Sequence, residues 1–266
     1  MADPQELYRA GKLADAIAEQ TTVVRSKPAD HPARLFLFEL LAFAGEWEKA
    51  GKQIDALTVD DPDLQLAALD YRNCVRSEQE RAKVLAGQAE PLFFGETGAA
   101  CQTRLEAFKA LATGDSGEFA RLLGEANGSG EDLQGQVNGK PFTLWRDADD
   151  LFAGVLEVFA KGRYYWVPFQ NITQLSTNPP RFPRDILWMP ANLSLDDGST
   201  GAVFLPALYA GSSVHGLETV RLGRERDWMP AHADQPGILR GFGPRVYLAG
   251  EGEENLSDVR ELSFGN

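Results

Sequence analysis

The chain has 266 residues, 43% of them hydrophobic and 24% charged, and its 39 acidic residues against 26 basic ones give a net charge of −13. The acidic excess runs through both halves, with 21 acidic and 14 basic residues in 1–130 and 18 and 12 in 131–266, so neither half offers the basic platform that nucleic acid or an anionic membrane surface requires. No apolar run approaches the roughly 20 residues of a membrane span, the opening MADPQELYRAGKLADAI is acidic and amphipathic unlike a secretory signal, and two cysteines, Cys74 and Cys101, form no disulfide framework; the expectation is a cytoplasmic protein.

Residues 7–17, LYRAGKLADAI, and 41–50, LAFAGEWEKA, align at an offset of 34, which is the tetratricopeptide period. Leu7 falls on Leu41, Ala10 on Ala44, Gly11 on Gly45, Leu13 on Trp47, Ala16 on Ala50 and Pro28 on Pro62. Gly11 and Gly45 end a first helix where positive φ is wanted. Leu13 or Trp47 begins the second helix, Ala16 and Ala50 let the pair approach closely, and the prolines turn the chain into the next unit. Residues 63–86 keep a helical composition without these marks, 87–99 read as a loop or broken helix, and 100–126 form a further helix pair turning at Gly114-Asp115. Residues 1–126 are therefore expected to be a tetratricopeptide-like helical domain, a fold that presents a surface to another chain. On this register Leu35, Glu39 and Phe43, with Asn73 and Arg76 of the next unit, point to the inner, concave side. They are either ordinary inter-helix core or an apolar groove edged by Asn73 and Arg76 that suits an amphipathic helix.

Asn127-Gly-Ser-Gly130 marks a boundary, and the Asn138-Gly139 hairpin signal follows it. Residues 147–161, DADDLFAGVLEVFAK, predict an amphipathic helix with Leu151, Val155 and Phe159 on one face, an Asp cap, and Lys161-Gly162 at its close. Strand-like runs then dominate: YYWVPF, DILWMPA, TGAVFLPALY, RVYLA and VRELSF, with a turn at Asp197-Gly198. Residues 131–266 are expected to be a mixed α+β sheet domain, so the fold class is a two-part α+β chain with the helical stack first. The aromatics Trp145, Tyr164, Tyr165, Trp166, Trp188 and Trp228 crowd this half. They are either a packed aromatic core or an exposed aromatic–proline surface, in which Trp166, Trp188 and Trp228 would receive a partner.

Catalytic patterns fail on inspection. Ser213 and His215 sit two residues apart outside any G-x-S-x-G context. Asp147, Asp149 and Asp150 lack the Gly and Glu of a calcium loop and read better as charge at a helix N-terminus. The cysteines are unpaired for zinc, and Gly241-Phe-Gly243 opens no helix. No metal, cofactor or catalytic set is expected.

The stretches DADDLFAGVLEVF, GRYYWVPFQNITQL, PRDILWMPANLSLDDGSTGAVFLPALYAGS, LGRERDWM and GFGPRVYLAGEGEENLSDVRELSF, behind the opening hairpins, resemble the ImpE family, also called TagJ or SciE. The resemblance covers nearly the whole chain. It implies a non-enzymatic cytoplasmic accessory component of type VI secretion that binds the N-terminal helix of the small contractile-sheath subunit (TssB/VipA type) and tunes sheath disassembly, touching the ClpV ATPase only indirectly. The alternative is a small-molecule-binding or enzymatic α+β domain with a pocket among Trp166, Asp185, Trp188, Arg224 and Trp228.

Overall fold

The computed structural model describes residues 2–57, 62–128 and 133–265. Helices α1 (Pro4–Arg9), α2 (Leu13–Ser26), α3 (His31–Phe43), α4 (Trp47–Asp55) and α5 (Pro62–Leu85) come first, each packed on the next. The repeat punctuation shapes them. Gly11 and Gly45 hold φ of 78° and 69°, a conformation that a Cβ disfavours, and Leu13, Ala16 and Ala50 are buried where the helices close on each other. Asp3 and Asp30 cap α1 and α3 by accepting the amides of Gln5 and Ala33. A short strand β1 (Leu92–Phe93) precedes α6 (Ala99–Thr113) and α7 (Ser116–Gly128).

The remainder comprises β2 (Gly135–Val137), β3 (Lys140–Phe142), β4 (Trp145–Asp147), β5 (Val155–Ala160), β6 (Arg163–Pro168), β7 (Ile172–Thr177), α8 (Pro183–Leu187), β8 (Trp188–Leu195), β9 (Thr200–Pro206), α9 (Glu218–Arg221), β10 (Asp227–His232), β11 (Gln235–Phe242), β12 (Val246–Ala249), β13 (Gly252–Asn255) and β14 (Glu261–Phe264). Nine strands make one sheet in the order β1-β6-β5-β9-β8-β7-β14-β2-β3, in which β1, from the segment read as a loop or broken helix, pairs in parallel with β6. A three-stranded sheet β13-β12-β4 and a ribbon β10-β11 complete the fold.

The helix expected over 147–161 is not formed. Its place is taken by the end of β4, an aspartate-rich turn, and β5. The reason is burial on both faces: Val155 and Phe159 join the cluster under the helices, whereas Leu156 and Val158 join the cluster against the small sheet. A strand covered on both sides shows an unbroken apolar run, which periodicity cannot separate from a helix. Lys161-Gly162 is the β5–β6 hairpin turn, with φ of 51° and 74°, the two positive values that a type I′ turn needs. The three aspartates cap no helix. Asp149 accepts the amides of Leu151 and Gly241, and Asp150 accepts that of Leu239, so the turn fastens the ribbon to the body.

The helical layer and the sheet share one core. Phe38, Phe43 and Phe108 from the helices cluster with Phe159, Tyr164, Trp166 and Trp188 from the sheet, and Phe38, Trp47 and Tyr71 all lie within 6.4 Å of the Trp188 ring. The second cluster lies between the other face of the large sheet and the small one, around Trp145, Val167, Leu193, Leu205 and Tyr247.

Candidate functional site

Where α3, α4 and the first half of α5 meet, Leu35, Ile54, Leu57, Ala67, Ala68 and Tyr71 leave an apolar groove of about 300 Å³, with His31 and Pro32 at one end and Arg184 of α8 along its wall. It is open because small residues of α5 leave the space between the helices unfilled. Alanines at 67 and 68 fill less space than the leucines that flank them, and Leu66 and Leu69 instead stand 60% and 48% exposed on the same stretch of helix. Arg184 gives the groove its one charged wall. Its Nη1 donates to Glu39 Oε1 at 2.6 Å, and its guanidinium lies 4.0 Å from the Phe182 ring and 5.1 Å from that of Tyr71. Its buried Nε has no hydrogen-bond partner among the described residues. Burial pushes the Glu39 carboxyl up from its usual range, against the opposing pull of Arg184, and burial likewise raises the Tyr71 phenol. The arrangement favours burying an apolar helical stripe and offers no nucleophile.

The structure does not gather the residues expected on a concave face. That side of the helices is filled by the sheet. Phe43, Trp166 and Trp188 are 0% exposed, so these three side chains are core and not partner surface, because the wide sheet supplies the second layer that a helical stack otherwise leaves open. Glu39 is buried against Arg184. Leu35 alone of the set lines the groove. Asn73 and Arg76 lie on the other flank of α5, against the Lys161-Gly162 turn. Trp228 is half-buried on the ribbon, 5.7 Å from the Tyr209 ring. Arg184 and Tyr71 were missed by sequence reasoning. Arg184 is 145 residues from Glu39, and no local pattern announces such a pair.

Of the residues of the alternative aromatic pocket, Asp185 and Arg224 line one cleft of about 510 Å³, and the three tryptophans take no part in it. Asp185 accepts the amides of Arg181 and Phe182 at the start of α8. Arg224 donates to the carbonyls of Tyr8 and Arg9, while Trp166 and Trp188 are sealed in the core. His215 meets Asp227 at 3.1 Å, and Ser213 abuts Gly45 instead of that pair. The dense polar cluster is interior. Glu157 accepts from Arg81, Arg245 and the Tyr164 hydroxyl, and Asp147 accepts from Arg245 and the Tyr209 hydroxyl. With opposite charges matched, this network ties α5 to β4, β5 and the start of β12. No group of three or more metal-ligating side chains occurs among the described residues, and none of their helices is long and apolar enough to cross a membrane.

Comparison with known proteins bears on both halves. The family model described as ImpE protein matches residues 139–263. The type VI secretion system accessory component TagJ of Pseudomonas aeruginosa is 35% identical over 261 residues, covering 98% of this chain and 90% of that protein. A crystal structure of a Vibrio parahaemolyticus protein superposes with a TM-score of 0.88 at 23% identity, over 99% of this chain and 97% of that one. At that identity it speaks to the fold, in which a helical part is followed by a mixed sheet.

Proposed function

The chain belongs to the ImpE family, and from that premise we propose that it is a non-enzymatic, cytoplasmic accessory component of a type VI secretion system whose groove between α3, α4 and α5 captures an amphipathic helix. The helix is the N-terminal one of the small sheath subunit (TssB/VipA type), and its capture tunes how the sheath is presented for disassembly by the ClpV ATPase. One observation carries this reading: an open apolar groove walled by Leu35, Leu57, Ala67, Ala68 and Tyr71 on a stretch of helix that already exposes two leucines. Such a channel takes side chains spaced i, i+3, i+4 and i+7 along one helical face, and in water that burial is favourable at roughly 25 cal/mol per Å².

Calorimetric titration of the full chain with a synthetic peptide of that sheath helix tests it. A Kd of about micromolar order is expected. Ala67→Trp fills the groove from its wall without removing a core side chain and is expected to weaken binding at least tenfold while the melting temperature stays close to that of the parent. Undiminished affinity in the folded Ala67→Trp protein overturns the groove as the site, and no binding by the parent overturns the partner.

A further inference from the structure

The β10–β11 ribbon pairs with no other strand, and a two-stranded ribbon by itself is barely stable in water. Its order therefore depends on what holds it to the body. Two carboxylates of the aspartate turn hold β11: Asp150 Oδ2 accepts the Leu239 amide at 2.8 Å, and Asp149 Oδ2 accepts that of Gly241 at 2.9 Å. The two acids differ in how their charge is met. Asp150 is partly exposed and forms an ion pair with Arg146 at 2.6 Å. Asp149 is 1% exposed and has no ion-pair partner among the described residues. Its other oxygen accepts the Leu151 amide. The charged and titratable groups that face it are Asp147 on its own turn, Arg240 of β11, Arg104 of α6 and the Tyr209 phenol. None supplies a matching cation in contact. The Tyr209 hydroxyl donates to Asp147, as does Arg245. Arg104 donates to the carbonyls of Asp150 and Leu151 and to the Asn127 side chain. Arg240 donates to the Ala210 carbonyl, and its buried Nε has no hydrogen-bond partner among the described residues.

A sealed carboxylate beside a second carboxylate, with amides as its partners, is costly as an anion. It gains by taking up a proton or by reaching water, and β11 is bonded directly over it. We propose that the ribbon is a proton-controlled arm, which lies on the aspartate turn while Asp149 holds a proton and opens as a local unit when that proton is lost. Burial and Asp147 push the Asp149 carboxyl from an ordinary 3.8 up to about 7. The closed ribbon thus binds the proton more tightly than the open one, so closure strengthens as pH falls below 7 and weakens as pH rises through it. Opening parts the Trp228 ring from that of Tyr209, 5.7 Å away in the closed form, and adds it to the Met229 and Leu239 side chains that the ribbon already exposes.

Amide hydrogen exchange of the full chain, read by nuclear magnetic resonance and expressed as protection factors to remove the intrinsic effect of pH, tests this. The Leu239 and Gly241 amides are expected to be less protected than those of the central strands β8 and β9, and their protection to be about tenfold lower at pH 8 than at pH 6. Asp149→Asn keeps an oxygen for the Gly241 amide and has no charge to gain, so it is expected to abolish the tenfold change. In the parent, the Asp149 carboxyl carbon is expected to titrate above pH 6, a readout that does not depend on the variant folding. Ribbon amides as well protected as those of β8 and β9, protection in the parent that does not fall from pH 6 to pH 8, a tenfold change that survives in Asp149→Asn, or an Asp149 carboxyl that titrates in the ordinary carboxylate range each overturn the proposal.

Discussion

Glu157 is the residue on which the interior turns. It is fully buried and would by burial alone be a poor acid, yet Arg81 and Arg245 together outweigh that effect and hold its carboxyl down at about 2. Asp149 illustrates the opposite balance. Burial and the neighbouring Asp147 push it up to about 7, and burial raises Glu78 and Asp147 in the same direction. The signs of their linkage differ. A depressed acid adds stability that is complete above its unfolded value near 4.5 and disappears as pH falls toward 2, whereas a raised acid binds its proton more tightly when folded and loses that contribution as pH rises toward 7. Urea unfolding from pH 8 to pH 3 is therefore expected to show greatest stability near pH 4.5, declining toward pH 3 as Glu157 loses its advantage and declining toward pH 7 as the raised Asp149 gives up its own. Glu157→Gln leaves two buried guanidiniums short of charge and is expected to cost about 3–5 kcal/mol at pH 6. The difference between parent and variant should stay constant above pH 4.5 and shrink below it. A difference that does not change down to pH 3 contradicts the assignment of the acid limb to Glu157.

At the level of elements, the first helical hairpin is held from the far end of the chain. Glu218 of α9 accepts the amides of Leu13 and Ala14 at 3.0 and 2.9 Å, capping the start of α2, while Arg224 donates to the carbonyls of Tyr8 and Arg9, capping the end of α1, and lies 5.0 Å from the Tyr8 ring. One anion at a helix start and one cation at a helix end match both helix dipoles. Glu218→Ala is expected to remove about 1 kcal/mol and to speed hydrogen exchange at Leu13 and Ala14 and along α1, leaving α6 and α7 protected. Uniformly faster exchange throughout the chain contradicts a local latch. This clamp also shows where the sequence stops being readable. Gly11, Gly45, Gly114 and the Asn138-Gly139 turn act within a few residues, so the helical hairpins and the β2–β3 hairpin were legible, as were β6, β9, β12 and β14. The β5 strand was not, because a strand buried on both faces loses its alternation. Neither the groove nor the fastening of the ribbon was legible: Arg184 comes to Leu35, and Gly241 to Asp149, only through the packing of segments distant in the chain.

For the whole molecule, the question is whether helices and sheet are two folding units or one. Sequence alone placed a boundary near 127–130, and helices dominate up to Gly128 and strands from Gly135, although β1 of the first part already belongs to the large sheet. Three kinds of contact nevertheless cross that line. The Trp188 ring packs among Phe38, Trp47 and Tyr71. Arg81 of α5 reaches Glu157 of β5 at 2.7 and 2.6 Å. Arg104 of α6, nearly fully buried, donates to the carbonyls of Asp150 and Leu151 in the aspartate turn, with burial lowering its pKa to about 10 for want of an acidic partner. Separating the halves would expose the aromatic cluster on both sides, take from Arg104 its two carbonyl acceptors, and break the Arg81–Glu157 pair, leaving Arg81 with Glu78 and Glu157 with Arg245. A unit with its own core unfolds by itself, whereas layers that share one unfold together. Scanning calorimetry of the full chain is therefore expected to give a single transition whose calorimetric and van't Hoff enthalpies agree, and residues 133–266 expressed alone are expected to lack the near-ultraviolet dichroism of packed tryptophans. Two resolved transitions, or a natively packed fragment, would make the helical layer an independent module. The groove beside α5 would then belong to a joint that opens, whereas a single transition fixes it as part of one rigid body whose partner must come to it.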